Sequence, residues 1–164
     1  MDAAALIEAR DQTERRDLFA VNYSMSRLKM RRAKVVLAGF VVFLIALVAL
    51  ADSGHGQRLF ELARKVPAGD KLGHFVLFGV LSFLVNLILR AAEIRLWQIR
   101  VLKGSAVVLS LVTLEEVSQL FFRSRTFDLG DLAADALGIW LSGWLAKNYL
   151  VWKRSQAMPA VKTL

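Results

Sequence analysis

The chain has 164 residues, 56% of them hydrophobic, with a formal net charge of +8 and a mean hydropathy of +0.47. That length holds one domain and leaves no room for a soluble domain beside a membrane one, and the hydrophobic share exceeds that of soluble domains. The absence of cysteine excludes disulfides, thiolate metal sites and a cysteine nucleophile. The Lys and Arg residues flank apolar blocks, which assigns them to phospholipid and not to nucleic acid.

Residues 1–32 form a polar tail ending in the basic cluster Arg27, Lys29, Arg31 and Arg32. Residues 35–51 carry no charge, and with Lys34 snorkelling at the start, residues 33–51 are long enough to span hydrocarbon. Ala49, Leu50 and Ala51 before Asp52 also resemble a signal-peptidase site. The charged leader is long for a signal peptide, which favours a retained helix over a cleaved one. In the polar loop 52–72, Leu59, Leu62 and Val66 recur at helical spacing between Arg58, Arg64 and Lys65. They predict a short helix lying on the membrane surface, ended at Pro67 and Gly69.

A second span follows at about 73–90, then a basic connection to Lys103 carrying Arg95, Arg100 and an interfacial Trp97. The third span covers about 104–122 and the fourth about 131–151, with Trp140 and Trp144 along it and Trp152 at its end. Residues 153–164 make a second tail, opening with Lys153 and Arg154. The expected fold is all-α: a polytopic four-helix transmembrane bundle over 33–152. Basic residues near the helix ends place both termini and the 90–103 connection in the cytoplasm. The outer loops also carry basic residues, Arg58, Arg64, Lys65, Lys71, Arg123 and Arg125.

With that topology the ionisable residues gather at the outer face. Asp70, Lys71 and His74 open the second span, Glu115, Glu116 and Gln119 close the third, and Arg123, Arg125, Asp128, Asp131 and Asp135 lead into the fourth. A carboxylate within a membrane helix costs about 2.5–3.5 kcal/mol and therefore faces the bundle interior and a partner. Asp131, Asp135, Gly138 and Ser142 recur at i, i+4, i+7 and i+11, one polar and small stripe. Thr113, Glu116 and Gln119 make another, and Asp70, His74, Ser82 and Asn86 follow one side of the second helix. Gly138 and Gly143 permit close helix approach. The first helix has no polar stripe and reads as a peripheral anchor.

Each residue also has a plainer reading. Asp70 and Asp128 suit N-caps, Lys71 and Arg123 suit headgroup contacts, His74 suits a structural hydrogen bond, and His55 a solvated loop. Glu115 lies about 100° around the helix from Glu116 and points elsewhere on that count.

Asp70, Lys71 and His74, in the stretch DKLGHFVLFGVLSFL, resemble the first signature of the VanZ-like membrane protein family. The stretch EVSQLFFRSRTFDLGDLAADALG is similar to the second, through Glu116, Gln119, Arg125, Asp128, Asp131, Asp135 and Gly138. The family usually has Asn where this chain has Asp135. The resemblance covers residues 70–143 and implies a multi-pass protein of the bacterial inner membrane, in a cell-envelope family whose name-giving member is tied to glycopeptide resistance. It carries no assigned biochemical activity.

Three functions fit these residues. The first is binding of an anionic lipid or lipid-linked envelope precursor, with Lys71 and Arg125 holding phosphate and the carboxylates orienting them. A homodimer would be needed to enclose a path across the membrane. The second is hydrolysis or transfer on a phospholipid or polyprenyl phosphate. There His74, paired to Asp70 or Asp131, is nucleophile or general acid, and Asp131 and Glu116 are further catalytic candidates. A variant of that reading has Asp131, Asp135 and Glu116 hold Mg²⁺ through oxygen ligands. The third is a salt-bridge network that only fixes helix register. Whether the chain is an enzyme stays open at this point.

Overall fold

The computed structural model describes residues 3–53, 68–119 and 128–157. The chain divides into a unit of residues 1–36 and a unit of residues 37–164. Helix α1 runs over Ala3–Asp52, so the segment read as a polar tail is helical. Its sequence allows this: there is no Gly before Gly39 and no Pro before Pro67, and Ala, Leu, Glu and Arg, all strong helix formers, recur throughout. The surface helix expected around residues 59–66 lies outside the described residues.

Helix α2 spans Gly69–Ile88, with Ala68 at its N-cap in the left-handed region (φ 58°, ψ 19°). Its C-terminus closes with the Arg90 amide on the Leu87 carbonyl and the Ala91 amide on the Asn86 carbonyl. This pairing normally uses a left-handed glycine; here Arg90 (φ 54°) and Ala91 (φ 52°) adopt that region. The chain then forms strands β1, Glu93–Leu96, and β2, Ile99–Leu102. They pair antiparallel with Glu93 opposite Leu102, Ile94 opposite Val101, Arg95 opposite Arg100 and Leu96 opposite Ile99. The expected helical class holds in its coarser form: the molecule is predominantly helical, and among the described residues one β-hairpin, which the all-α expectation did not include, lies between the helices. Helix α3, Lys103–Ser118, follows directly, and helix α4 spans Leu129–Ala157.

Helices α2 and α4 share the most extensive interface, and α3 packs on both. The apolar core is Leu81, Val108, Val112 and Ile139, with Phe78, Val85 and Leu132 around it. Leu37, Phe40 and Leu44, at i, i+3 and i+7, pack the end of α1 that belongs to the second unit onto this core. At the α2–α4 seam a Cβ on Gly138 would collide with the Phe75 carbonyl oxygen, and one on Gly79 would stand 3.3 Å from the Gly138 carbonyl oxygen. The two backbones approach this closely because neither position carries a side chain.

The distribution of polarity is inverted relative to a water-soluble bundle. Among the largest fully buried side chains are Glu116, Asn86, Asp135 and Ser82, whereas Leu72, Leu111, Leu114, Leu137 and Trp140 are exposed. Two stretches, Arg27–Leu50 and Gly69–Ile88, are helices long and apolar enough to cross a membrane.

Candidate functional site

The three helices that carry polar stripes bring them together at one end of the bundle. Lys71, in the first turn of α2, reaches across to the start of α4, where its Nζ donates to Asp128 Oδ2 at 2.7 Å and Asp131 Oδ1 at 2.9 Å. Asp128 immediately precedes α4 and also caps it, its Oδ1 accepting from the Gly130 amide at 2.6 Å. The capping expectation for Asp128 is thus met, but its carboxylate serves the lysine as well. The Lys71 ammonium holds the Asp128 carboxyl below the usual carboxylate range, with the Gly130 amide adding to this. Gly130 makes room for the contact, since a Cβ there would stand 2.6 Å from Lys71 Nζ.

One helical turn deeper, His74 Nδ1 lies 3.2 Å from each oxygen of the Asp135 carboxylate. Asp135 is fully buried, and the imidazole also rests against the Phe78 ring, 5.8 Å between centroids. Two partnerships follow from one spacing. Residues 71 and 74 are three apart and residues 131 and 135 four apart, so α2 and α4, which run parallel, present each pair at matching levels. The expected pairing of His74 with Asp70 or Asp131 is corrected: Asp135 is its partner. Asp70 is exposed in the first turn of α2. It is not the N-cap, because helix α2 begins one residue earlier and Ala68 holds that position.

Glu116 enters from α3, almost completely buried. Its Oε1 accepts from the Asp128 amide at 2.9 Å, and its Oε2 accepts from Gln119 Nε2 at 3.0 Å. Gln119 Nε2 also stands 3.1 Å from a carboxylate oxygen of Glu115. The amide therefore links both glutamates, and Glu115 is drawn toward the site despite its angular offset.

Below this cluster a second polar group lies between α2, α3 and α4. Asn86 Nδ2 donates to the Ser82 carbonyl at 2.9 Å and to Ser105 Oγ at 3.0 Å. Ser82 Oγ donates to the Ile139 carbonyl at 3.2 Å. Asn86 Oδ1 is buried and has no hydrogen-bond partner among the described residues. Ser105 was not singled out from the sequence. Its signal was its place at i, i+3, i+7 and i+11 with Val108, Val112 and Glu116, the buried face of α3.

The structure thus gathers Lys71, His74, Glu116, Gln119, Asp128, Asp131 and Asp135 and leaves Asp70 at the margin. Arg123 and Arg125 lie outside the described residues. The three carboxylates considered for Mg²⁺ face different partners, Lys71 for Asp131, His74 for Asp135 and the Asp128 amide for Glu116. Among the described residues no three His, Asp or Glu side chains converge as metal ligands. What the arrangement offers chemically is a buried Asp–His dyad beside a lysine bridged by two carboxylates.

No family model, curated protein or solved structure matches the chain.

Proposed function

We propose that the chain is a VanZ-like, multi-pass protein of the bacterial inner membrane that binds an anionic lipid or lipid-linked headgroup at the outer face. The observation that carries this reading is the convergence of charged side chains from α2, α3 and α4 at one end of a bundle whose sides expose Leu, Val and Trp. Lipid is the medium that suits such an exterior, and a polar cluster at the rim of that exterior meets headgroups. Four spans with both termini in the cytoplasm put the hairpin on the inner side and the cluster on the outer.

The geometry refines how a headgroup is held. Lys71 is already neutralised by Asp128 and Asp131, so a phosphate reaches it by displacing Asp128, whose side chain is half exposed. Arg125 supplies the bidentate cation in this scheme. The released carboxylate then accepts hydrogen bonds from sugar or glycerol hydroxyls, to which the Gln119 amide can also donate.

A second reading draws on a separate observation. His74 Nδ1 is fixed by Asp135, while Nε2 has no partner among the described residues. A carboxylate that orients an imidazole and leaves its other nitrogen available is the arrangement of a general base or nucleophile. It suits a hydrolase or transferase acting on a phospholipid or polyprenyl phosphate.

One experiment separates these functions. Wild-type, Arg125→Ala and His74→Gln proteins are purified in mild detergent and incubated with phospholipids and polyprenyl phosphates, and the lipids are read by mass spectrometry. Binding predicts a co-purifying lipid lost from Arg125→Ala, with no new product from any protein. A product made by wild type and absent with His74→Gln establishes turnover. Equal lipid content in all three, with no product, removes both readings and leaves a register-fixing network.

A further inference from the structure

The hairpin between α2 and α3 carries three features that the outer cluster does not explain. The first is an uncovered apolar face. Alternation along the strands puts Ile94, Leu96, Ile99 and Val101 on one side; Leu96 and Ile99 are 61% and 68% exposed, and Trp97 in the turn is 97% exposed. The opposite side turns toward the bundle, where Glu93 accepts from Lys147 of α4 at 2.7 Å and Leu102 lies against Gly143. The apolar face therefore looks away from the helices.

The second feature is electrostatic. Arg95 and Arg100 stand directly opposite each other across the ladder, a juxtaposition of like charges that destabilises a two-stranded ribbon. The nearest carboxylate, Glu93, is 4.0 Å from Arg100 and is engaged by Lys147. Arg95 has no carboxylate partner among the described residues. An anion placed between the two guanidinium groups removes the repulsion.

The third is the turn itself. Trp97 sits at φ 57°, in a two-residue connection where that conformation ordinarily selects Gly, Asn or Asp. A bulky residue held there is strained, and such strain gathers at sites of recognition. It lifts the largest apolar side chain clear of the hairpin.

We propose that this hairpin is an interfacial anchor for the anionic phospholipid of the cytoplasmic leaflet, with Leu96, Trp97 and Ile99 entering the headgroup boundary and Arg95 and Arg100 sharing lipid phosphate. The partner's chemistry follows from charge complementarity: an apolar edge and turn, with two exposed arginines on the hairpin's other side that share one carboxylate, 4.0 Å from Arg100, match a surface that is both greasy and negative. The inference rests on the reading of the chain as membrane-embedded, and adds to it a lipid site on the side opposite the outer cluster.

The test uses the full chain with Trp140, Trp144 and Trp152 changed to Phe, so that Trp97 is the one remaining tryptophan, reconstituted into phosphatidylcholine vesicles with or without phosphatidylglycerol. Bromine placed high on the acyl chains quenches Trp97 in the anionic vesicles if the hairpin docks. The Arg95→Gln/Arg100→Gln double variant should lower that quenching to the level seen in phosphatidylcholine alone. Trp97 that is quenched by aqueous acrylamide and untouched by bromolipid overturns the proposal. So does Trp97 shielded from both quenchers in a concentration-dependent way, which assigns the face to a second copy of the chain. A companion protein keeping only Trp140 and Trp144 guards the underlying reading. If those are quenched by bromolipid and Trp97 is not, the anchor alone fails; if none is quenched, the membrane-embedded reading fails with it.

Discussion

His74 Nδ1 is equidistant, at 3.2 Å, from the two carboxylate oxygens of Asp135, and that symmetry makes Asp135 the residue that orients the ring. Replacing Asp135 by Asn keeps the volume and a hydrogen bond but removes the charge. Under the hydrolase or transferase reading, the expected outcome is a folded protein that keeps its lipid and loses turnover in the mass-spectrometric assay. Asp135→Ala also leaves the ring without its acceptor in a buried setting, at a cost of about 1–3 kcal/mol. Thermal unfolding in detergent distinguishes the two variants, and an Asp135→Asn protein that behaves as wild type in both assays contradicts an orienting role.

Lys71 joins Asp128 and Asp131, so removing it sets two carboxylates against each other with Asp131 mostly buried. Lys71→Met should lower the melting temperature. Adding Asp131→Asn should recover part of that loss, because the second change removes the charge stranded by the first. Strictly additive losses in the double variant would show that the three groups are uncoupled.

The glycines predict a graded series. Gly138→Ala forces a Cβ into the Phe75 carbonyl, which is backbone and cannot yield without separating α2 from α4; about 1–3 kcal/mol is the usual cost of such overpacking. Gly143→Ala meets the hydroxyl of Ser105 at 2.5 Å, a side-chain atom that can rotate away, and should cost less. Gly73→Ala meets nothing within 4 Å and should be neutral. Detergent melting curves that rank the three differently would dispute the seam.

Acid should loosen the hairpin. The Lys147 ammonium holds the Glu93 carboxyl below its ordinary value, with Arg100 contributing in the same direction. A carboxylate whose folded value is depressed adds stability above its unfolded value, about 4.3 for Glu, and loses it as pH falls through the folded value. Amide exchange across residues 93–102 should therefore rise in acid beyond its intrinsic rate in wild type. In Glu93→Gln the same step should be absent.

Topology has its own check in a chain that lacks cysteine. Trp97→Cys should react with an impermeant maleimide only after the membrane is opened, and Arg125→Cys should react from outside in intact cells. Labelling of position 97 from outside reverses the orientation.

The sequence made the site's membership legible because helical period alone determines which residues share a face. Asp131, Asp135, Gly138 and Ser142 were aligned by that count, and the helices do turn those positions inward. Partner choice was not legible. Whether His74 meets Asp70, Asp131 or Asp135 depends on the relative height of two helices, and that height is set by the Gly138–Phe75 and Gly79–Gly138 contacts, which no local pattern encodes. The hairpin was missed for a different reason. Ile94 and Leu96 alternate correctly with their neighbours, as do Ile99 and Val101, but Trp97 and Gln98 replace the Gly or Asn that announces a tight turn. The helical state of residues before Arg27 was obscured by their polarity, since a helix without an apolar stripe gives no periodic signal.

The contact of Gly138 with the Phe75 carbonyl has a mechanical consequence. Backbone resting on backbone has no rotamers with which to absorb displacement, so α2 and α4 behave as a single strut. Helix α3 is tied to that end of the pair through the Glu116 and Gln119 side chains, which have the torsional freedom that the strut lacks.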